Sequence, residues 1–307
     1  MRRIKLIVAY DGTNYCGWQV QPNGITVQEV LNQALSDLFA KKTACIGASR
    51  TDAGVHALGN VAVFDTDARM PADRIAFALN TRLPADIRIQ GSSEVPPDFH
   101  PRFTATVKTY EYRILNRTFA DPTRRLNSYF WYGPLDVDAM RQAASYLVGM
   151  HDFKSFATAK PEVTDTVRTI YETSLEKEDD LIRFRITGNG FLYNMVRIIT
   201  GTLLEVGKGD YPPEKVKEIL AAKDRKMAGA TARPEPTVRS CQPRPSPFGS
   251  GRTLTHRSSD SPAKIDHYGS SPFEWCIEAL SGSSWSGGLS GGECRVAGVV
   301  GHGVADL

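Results

Sequence analysis

Near residue 232 the chain stops reading like one that folds by burying alternating apolar faces. Up to that point apolar residues recur at strand or helix spacing. Beyond it, "RPEPTVRSCQPRPSPFGSGRTLTHRSSDSP" carries neither period, and the final "SGSSWSGGLSGGECRVAGVVGHGVADL" is rich in Gly and Ser. That composition suits a low-complexity tail, which is expected to be disordered. Yet Cys241, Cys276, Cys294, Trp275 and Trp285 all fall in it. Cysteine and tryptophan are unusual in such tails. The fold must therefore be sought in residues 1–231.

There the sequence alternates strands and helices. Residues 3–10 read as a strand. Thr26 opens a helix through the capping box "TVQE", and Val27, Val30, Leu31, Ala34, Leu35 and Leu38 follow at helical spacing. "NVAVFDTD" and "DIRIQG" are strand-like, with the helix "ADRIAFALNTRL" between them. "FTATVKTYEYRIL" is a long strand with Tyr110, Tyr112 and Ile114 on one face and Thr109, Glu111 and Arg113 on the other. After Pro122 the alternation resumes, with helices at 137–148, 193–206 and 213–222 and strands in "TVRTIYETSLEKE" and "LIRFRITG". This predicts two α/β halves, 1–104 and 105–231, followed by the aberrant tail 232–307.

Several function classes fall away. No stretch approaches the ~18 apolar residues of a membrane helix, and the N-terminal "MRRIKLIVAYDG" lacks a signal peptide's cleavage site. A cytoplasmic protein without a membrane partner is expected. The five cysteines form no C-x-x-C pair, so free thiols are expected and no structural zinc. "GTLLEVGKG" has the wrong glycine spacing for a phosphate loop and continues a helical run, so a helix with a glycine cap is predicted. Within residues 1–231 neither a G-x-S-x-G elbow nor an H-E-x-x-H pair is present. The formal net charge of +3 is too mild to name a partner.

"ASRTDAGVHALGN" is different in kind. Arg50 and Asp52 share a glycine-containing turn between two predicted strands. A bare R-x-D suits a surface ion-paired turn, with Gly54 supplying positive φ. It equally suits a carboxylate presented at a sheet end towards a cleft. A nucleophilic carboxylate needs a cation or donors beside it to stay ionised in a partly dry site. Arg197, at the start of a predicted helix, is one candidate, and a solvated helix charge is its plain alternative. Of Tyr110 and Tyr112, one is expected to pack in the core, while the other is free to stack on a base.

Taken together, these segments resemble the tRNA pseudouridine synthase A family. "YDGTNYCGWQVQP" followed by "TVQEVLNQAL" is similar to its N-terminal signature, and "ASRTDAGVHA" to its catalytic motif. "FHPRFTATVKTYEYRI", "GMHDFKSFA", "TVRTI" and "GNGFLYNMVRIITGTLLEVGKG" follow in the family's order. The resemblance covers residues 1–231. It implies an α+β pseudouridine synthase fold, two α/β halves with largely antiparallel sheets meeting at a central basic cleft. It implies that Asp52 is the nucleophile, that Arg50 enters the RNA to displace the target nucleotide, that Tyr110 contacts the uracil, and that Arg197 pairs with Asp52. It further implies a cofactor-free homodimer that isomerises uridines at positions 38 to 40 of the tRNA anticodon stem-loop.

The chain departs from the family after "KMAGATA". Where the family carries a last strand of the type G-L-x-L, this chain has "RPEPTVRS". One codon choice for "RPEPTVR", read one base along, gives "GLSLQF". A frameshift near residues 229–232 is therefore expected, with a lineage-specific extension as the rival account. If the strand is lost, the sheet gains an open edge and the chain becomes a tRNA-binding protein with impaired catalysis. A third reading is an α/β protein that binds an acidic small molecule.

Overall fold

The computed structural model describes residues 1–103, 106–159, 163–234 and 237–243. The first half begins with strand β1 (Arg2–Tyr10), helix α1 (Val27–Phe39), strand β2 (Ile46–Gly47) and strand β3 (His56–Thr66), and closes with helix α2 (Ala72–Asn80) and strand β4 (Ile87–Val95). In β1, Ile4, Leu6, Val8 and Tyr10 point into the core while Arg3, Lys5 and Ile7 face outward, as the period of two requires. The Thr26 hydroxyl accepts from the Glu29 N–H and starts α1, whose buried stripe is Val27, Leu31, Ala34 and Leu35. These residues pack with Ile75, Leu79 and Ile89 into the first core.

The second half contains β5 (Thr106–Asn116), β6 (Tyr129–Trp131), α3 (Val137–Ser145), β7 (Gly149–Asp152), β8 (Val167–Glu178), β9 (Leu181–Gly188), α4 (Met195–Lys208) and α5 (Lys215–Ala222). Helix α4 is buried almost all round, which marks it as the central helix of the second core. There Ile198, Ile199 and Leu203 meet Tyr112, Phe184 and Ile186 from the sheet. The run "GTLLEVGKG" lies within this helix and ends at Gly209, whose N–H reaches back to Glu205 and Val206 carbonyls. The helical reading of that stretch is the observed one.

The sequence-based expectation that regular structure ends near residue 231 is corrected. Residues Thr237–Pro243 form a strand, β10, in the middle of one continuous sheet of order β4-β1-β3-β10-β5-β9-β8-β7. It runs parallel to β3, with Val238 beside His56, and antiparallel to β5, with Arg239 beside Tyr110. The two halves thus share a sheet. The pairing is antiparallel throughout except for β10–β3 and β5–β6. The predicted loss of a strand, and the impaired catalysis that rested on it, do not follow. A turn-rich, Pro-flanked segment hides its strand from periodicity arguments because β10 is short and bears an arginine inward. The expected disorder of residues 244–307 lies outside the described residues.

Candidate active site

Asp52 stands at the first position of the turn Asp52–Val55, closed by the Val55 N–H donating to the Asp52 carbonyl at 3.2 Å. Gly54 occupies the third position with φ of 78°, a conformation other residues adopt only under strain. The chain behind the turn is pinned from below. Trp18 N–H donates to the Thr51 carbonyl at 3.1 Å, and Gly54 N–H donates to the Tyr15 carbonyl at 3.4 Å. The Tyr10 and Thr51 hydroxyls meet at 2.7 Å in a buried contact. Burial pushes the Tyr10 phenol up to about 12, so it stays neutral and serves as a fixed hydrogen-bonding group.

The cradle requires glycine. A Cβ on Gly12 would stand 2.2 Å from the Val55 carbonyl oxygen, and one on Gly17 would stand 2.5 Å from that of Thr51. The N-terminal "YDGTNYCGW" is thus the seat of the turn that carries Asp52. Sequence reasoning noticed that signature but not its purpose, and the two glycines were the available signal.

Arg197 lies in the first turn of α4. Its Nη1 is 3.5 Å from Asp52 Oδ2, and the side chains are 19% and 27% exposed. Its Nε donates to the Ala232 carbonyl at 2.7 Å and its Nη1 to Asn194 Oδ1 at 3.0 Å. The arginine is therefore aimed before any substrate arrives. The plain alternative of a solvated helix charge does not hold.

Tyr110 and Tyr112 part as their positions allow. Tyr112 is fully buried in the second core. Tyr110 lines the cavity and takes the edge of Phe191 at 5.0 Å. Arg50 is exposed at the same cavity. All four expected residues, Arg50, Asp52, Tyr110 and Arg197, line one cavity of about 1000 Å³. Eight cationic side chains line it against two carboxylates, Asp52 and Asp224. Lys108, Lys154, Arg168, Lys223 and Arg225 supply much of that charge from the second half. Such a basic cleft suits a polyanion, and the net charge of the whole chain concealed it. Arg102 also lines it. Burial and the charge of Arg50 push its guanidinium below the ordinary value.

Two further residues went unseen in the sequence. Asn60 in β3 is fully buried and donates to the Ser49 carbonyl at 3.3 Å. Arg239 in β10 is fully buried, donates to Asn60 Oδ1 at 2.7 Å, and holds its guanidinium carbon 5.9 Å from the centre of the Tyr110 ring. An Asn inside the apolar run of β3 was a readable anomaly. Arg239 was unreadable without the strand. Among the described residues, Cys16 and Cys45 are free thiols, and burial pushes that of Cys45 up to about 12.

A family model described as tRNA pseudouridine synthase matches residues 6–104 and 143–241. The second match extends past residue 231 and takes in most of β10. A protein of Halalkalibacterium halodurans named tRNA pseudouridine synthase A is 52% identical over 233 residues, covering 76% of this chain and 89% of that protein. One of the same name from Thermoanaerobacter sp. (strain X514) is 48% identical over 237 residues, covering 76% of this chain and 96% of that protein. Among solved structures, a Cbf5-Nop10-Gar1 complex matches with a TM-score of 0.35 at 12% identity, over 76% of this chain and 48% of that one.

Proposed function

The chain belongs to the tRNA pseudouridine synthase family, and from that premise we propose how its residues isomerise uridine to pseudouridine in tRNA. The observation that carries the assignment of roles is the 3.5 Å pair between Asp52 of the first half and Arg197 of the second, inside one basic cavity.

The reaction breaks the bond from C1′ to N1, turns the uracil, and joins C1′ to C5. It is redox-neutral: the proton lost from C5 is matched by one gained at N1. A uridine inside a helix or stacked loop is out of reach, so it leaves its stack to enter the cavity. Arg50, two residues from Asp52 and exposed, fills the space it vacates. Asp52 is the nucleophile, attacking C1′ of the ribose or C6 of the uracil. Arg197 pairs with the carboxylate and orients it, and the ring of Tyr110 supports the uracil face. The surrounding lysines and arginines take the phosphates, which makes affinity fall as salt rises.

The substrate region is the anticodon stem-loop at positions 38 to 40, and the working form is a cytoplasmic homodimer; the motif resemblance supports both. No helix among the described residues is long and apolar enough to cross a membrane. Incubating anticodon stem-loop RNA with purified protein and mapping pseudouridine tests the assignment. Product is expected with the unsubstituted chain and none with Asp52→Asn. An Asp52→Asn protein that works at near wild-type rate would end it.

A further inference from the structure

Beside the cavity, the segment "PPDFHPRF" holds two phenylalanines with opposite fates. Phe99 packs against Ala48 and Val61, and its carbonyl accepts from Arg3 Nη1 at 3.1 Å. Pro101 is buried. Arg102 Nε donates to the Gly47 carbonyl at 2.9 Å, and its backbone N–H donates to His100 Nδ1 at 3.2 Å. The segment is anchored, yet Phe103 is 84% exposed. The His100 and Phe103 rings stack on each other, 4.4 Å between centres and 26° between planes. An anchored backbone that presents an aromatic ring, already stacked on an imidazole, to water offers a ready stacking surface.

The charge nearby says which partner. Arg50 and Arg102 interact unfavourably with each other, and among the described residues neither has a carboxylate partner. Both line the cavity that contains Asp52. Two guanidiniums without a carboxylate partner among the described residues, beside stacked rings, suit an unpaired nucleotide, with phosphate on the arginines and base on the rings.

We propose that the stacked His100–Phe103 pair, with Arg102, is a platform that receives an RNA nucleotide next to the extruded uridine. The platform rests on the reading above that the cavity takes a uridine out of its stack. By holding the neighbouring base on Phe103, the protein keeps the opened loop from closing while the uridine is inside.

The experiment uses the full chain carrying Asp52→Asn, so that the RNA stays unmodified. Anticodon stem-loops carry 2-aminopurine on the 5′ or the 3′ side of the target uridine. Binding is expected to quench one of these probes through ring stacking. Adding Phe103→Ala should abolish that quench and raise Kd about tenfold. Phe103→Trp should keep both the quench and the affinity. An unchanged quench and Kd in the alanine variant would overturn the proposal. So would a change in oligomeric state by light scattering, because Phe103 would then be covered by a second copy. Pseudouridine formation by the unsubstituted chain is measured separately. Its absence, with a Phe103-dependent quench intact, would count against the isomerase reading and leave the platform standing.

Discussion

Arg197 and Arg239 are two arginines withdrawn from water, and they are held very differently. Arg197 has a carboxylate at 3.5 Å, a carbonyl at 2.7 Å and an amide oxygen at 3.0 Å. Arg239 is fully buried and donates to Asn60, while among the described residues its Nε and Nη2 have no hydrogen-bond partner. A buried guanidinium with orphaned donors costs several kcal/mol. The contrast separates two kinds of fit. The backbone of β10 satisfies its neighbours on both sides, because ladder bonds do not depend on which side chain is present. Its side chains do not fill their slot so well, because packing and charge are specific. The turn that carries Asp52 fits on both levels, and the central strand on one.

Substitutions at the two arginines and at Asp52 separate the two kinds of fit. The largest effect belongs to the complete side. Asp52→Asn should lower product formation by about 10³-fold or more while Kd for the stem-loop barely moves, read by pseudouridine mapping and anisotropy. Arg197→Ala should lower kcat/KM about 10²-fold, as loss of a preorganised charge does. It should also lose about 1–3 kcal/mol of stability because the Ala232 carbonyl loses its donor. Equal activity in this variant would mean that Arg197 only braces the backbone.

Arg239→Met tests the other side, and its sign is opposite. Removing the orphaned charge should stabilise by about 1–2 kcal/mol even after Asn60 Oδ1 loses its donor. That raises Tm by about 2–6 °C. A lower Tm would show that the Arg239–Asn60 bond is a keystone and would erase the contrast. The frameshift expectation bears on the same strand. The nucleotide sequence decides it: the idea is wrong if no single shift near residues 229–232 restores a G-L-x-L strand and a nearby stop.

The smallest effect is expected on the face of β5 opposite Tyr110, at a carboxylate paired with two arginines. Burial pushes the Glu111 carboxyl up, but hydrogen bonds from Arg113 and Arg185, each at 2.7 Å, hold it below the usual carboxylate range. A depressed carboxylate stabilises the fold above its unfolded value of about 4.3, and that contribution is lost as pH falls through the lower folded value. Glu111→Gln should cost about 1–2 kcal/mol at neutral pH, and the difference from the unsubstituted chain should close on acidification. Urea melts at several pH values check this.

Most of the fold was legible because helices and strands advertise their periods. The stripe of α1 and the alternation of β1 could be read directly. The turn carrying Asp52 was legible as a turn through Gly54, and as a site only in company with Tyr110 and Arg197. What stayed hidden had no period to show. Strands β2, β6 and β7 are too short, at two, three and four residues. Strand β10 carries an inward arginine, which reads as a surface residue. The cleft's charge escaped because its lysines and arginines come from distant parts of the sequence, and only folding gathers them.

Because β10 lies between β3 and β5, the cleft is closed by the last described stretch of chain. Arg239 and Asn60, which touch in the finished protein, are 179 residues apart. On the ribosome the first half can collapse around its own core long before that partner strand emerges. Contacts of such separation form slowly, since the intervening loop must be ordered first. A nascent or truncated chain that lacks residues 237–243 would therefore hold Asp52 on one body and Arg197 on another, unjoined by a strand. Asp52 and its turn are thus made early, and the cavity that sets Asp52 against Arg197 is assembled only once residues 237–243 have emerged.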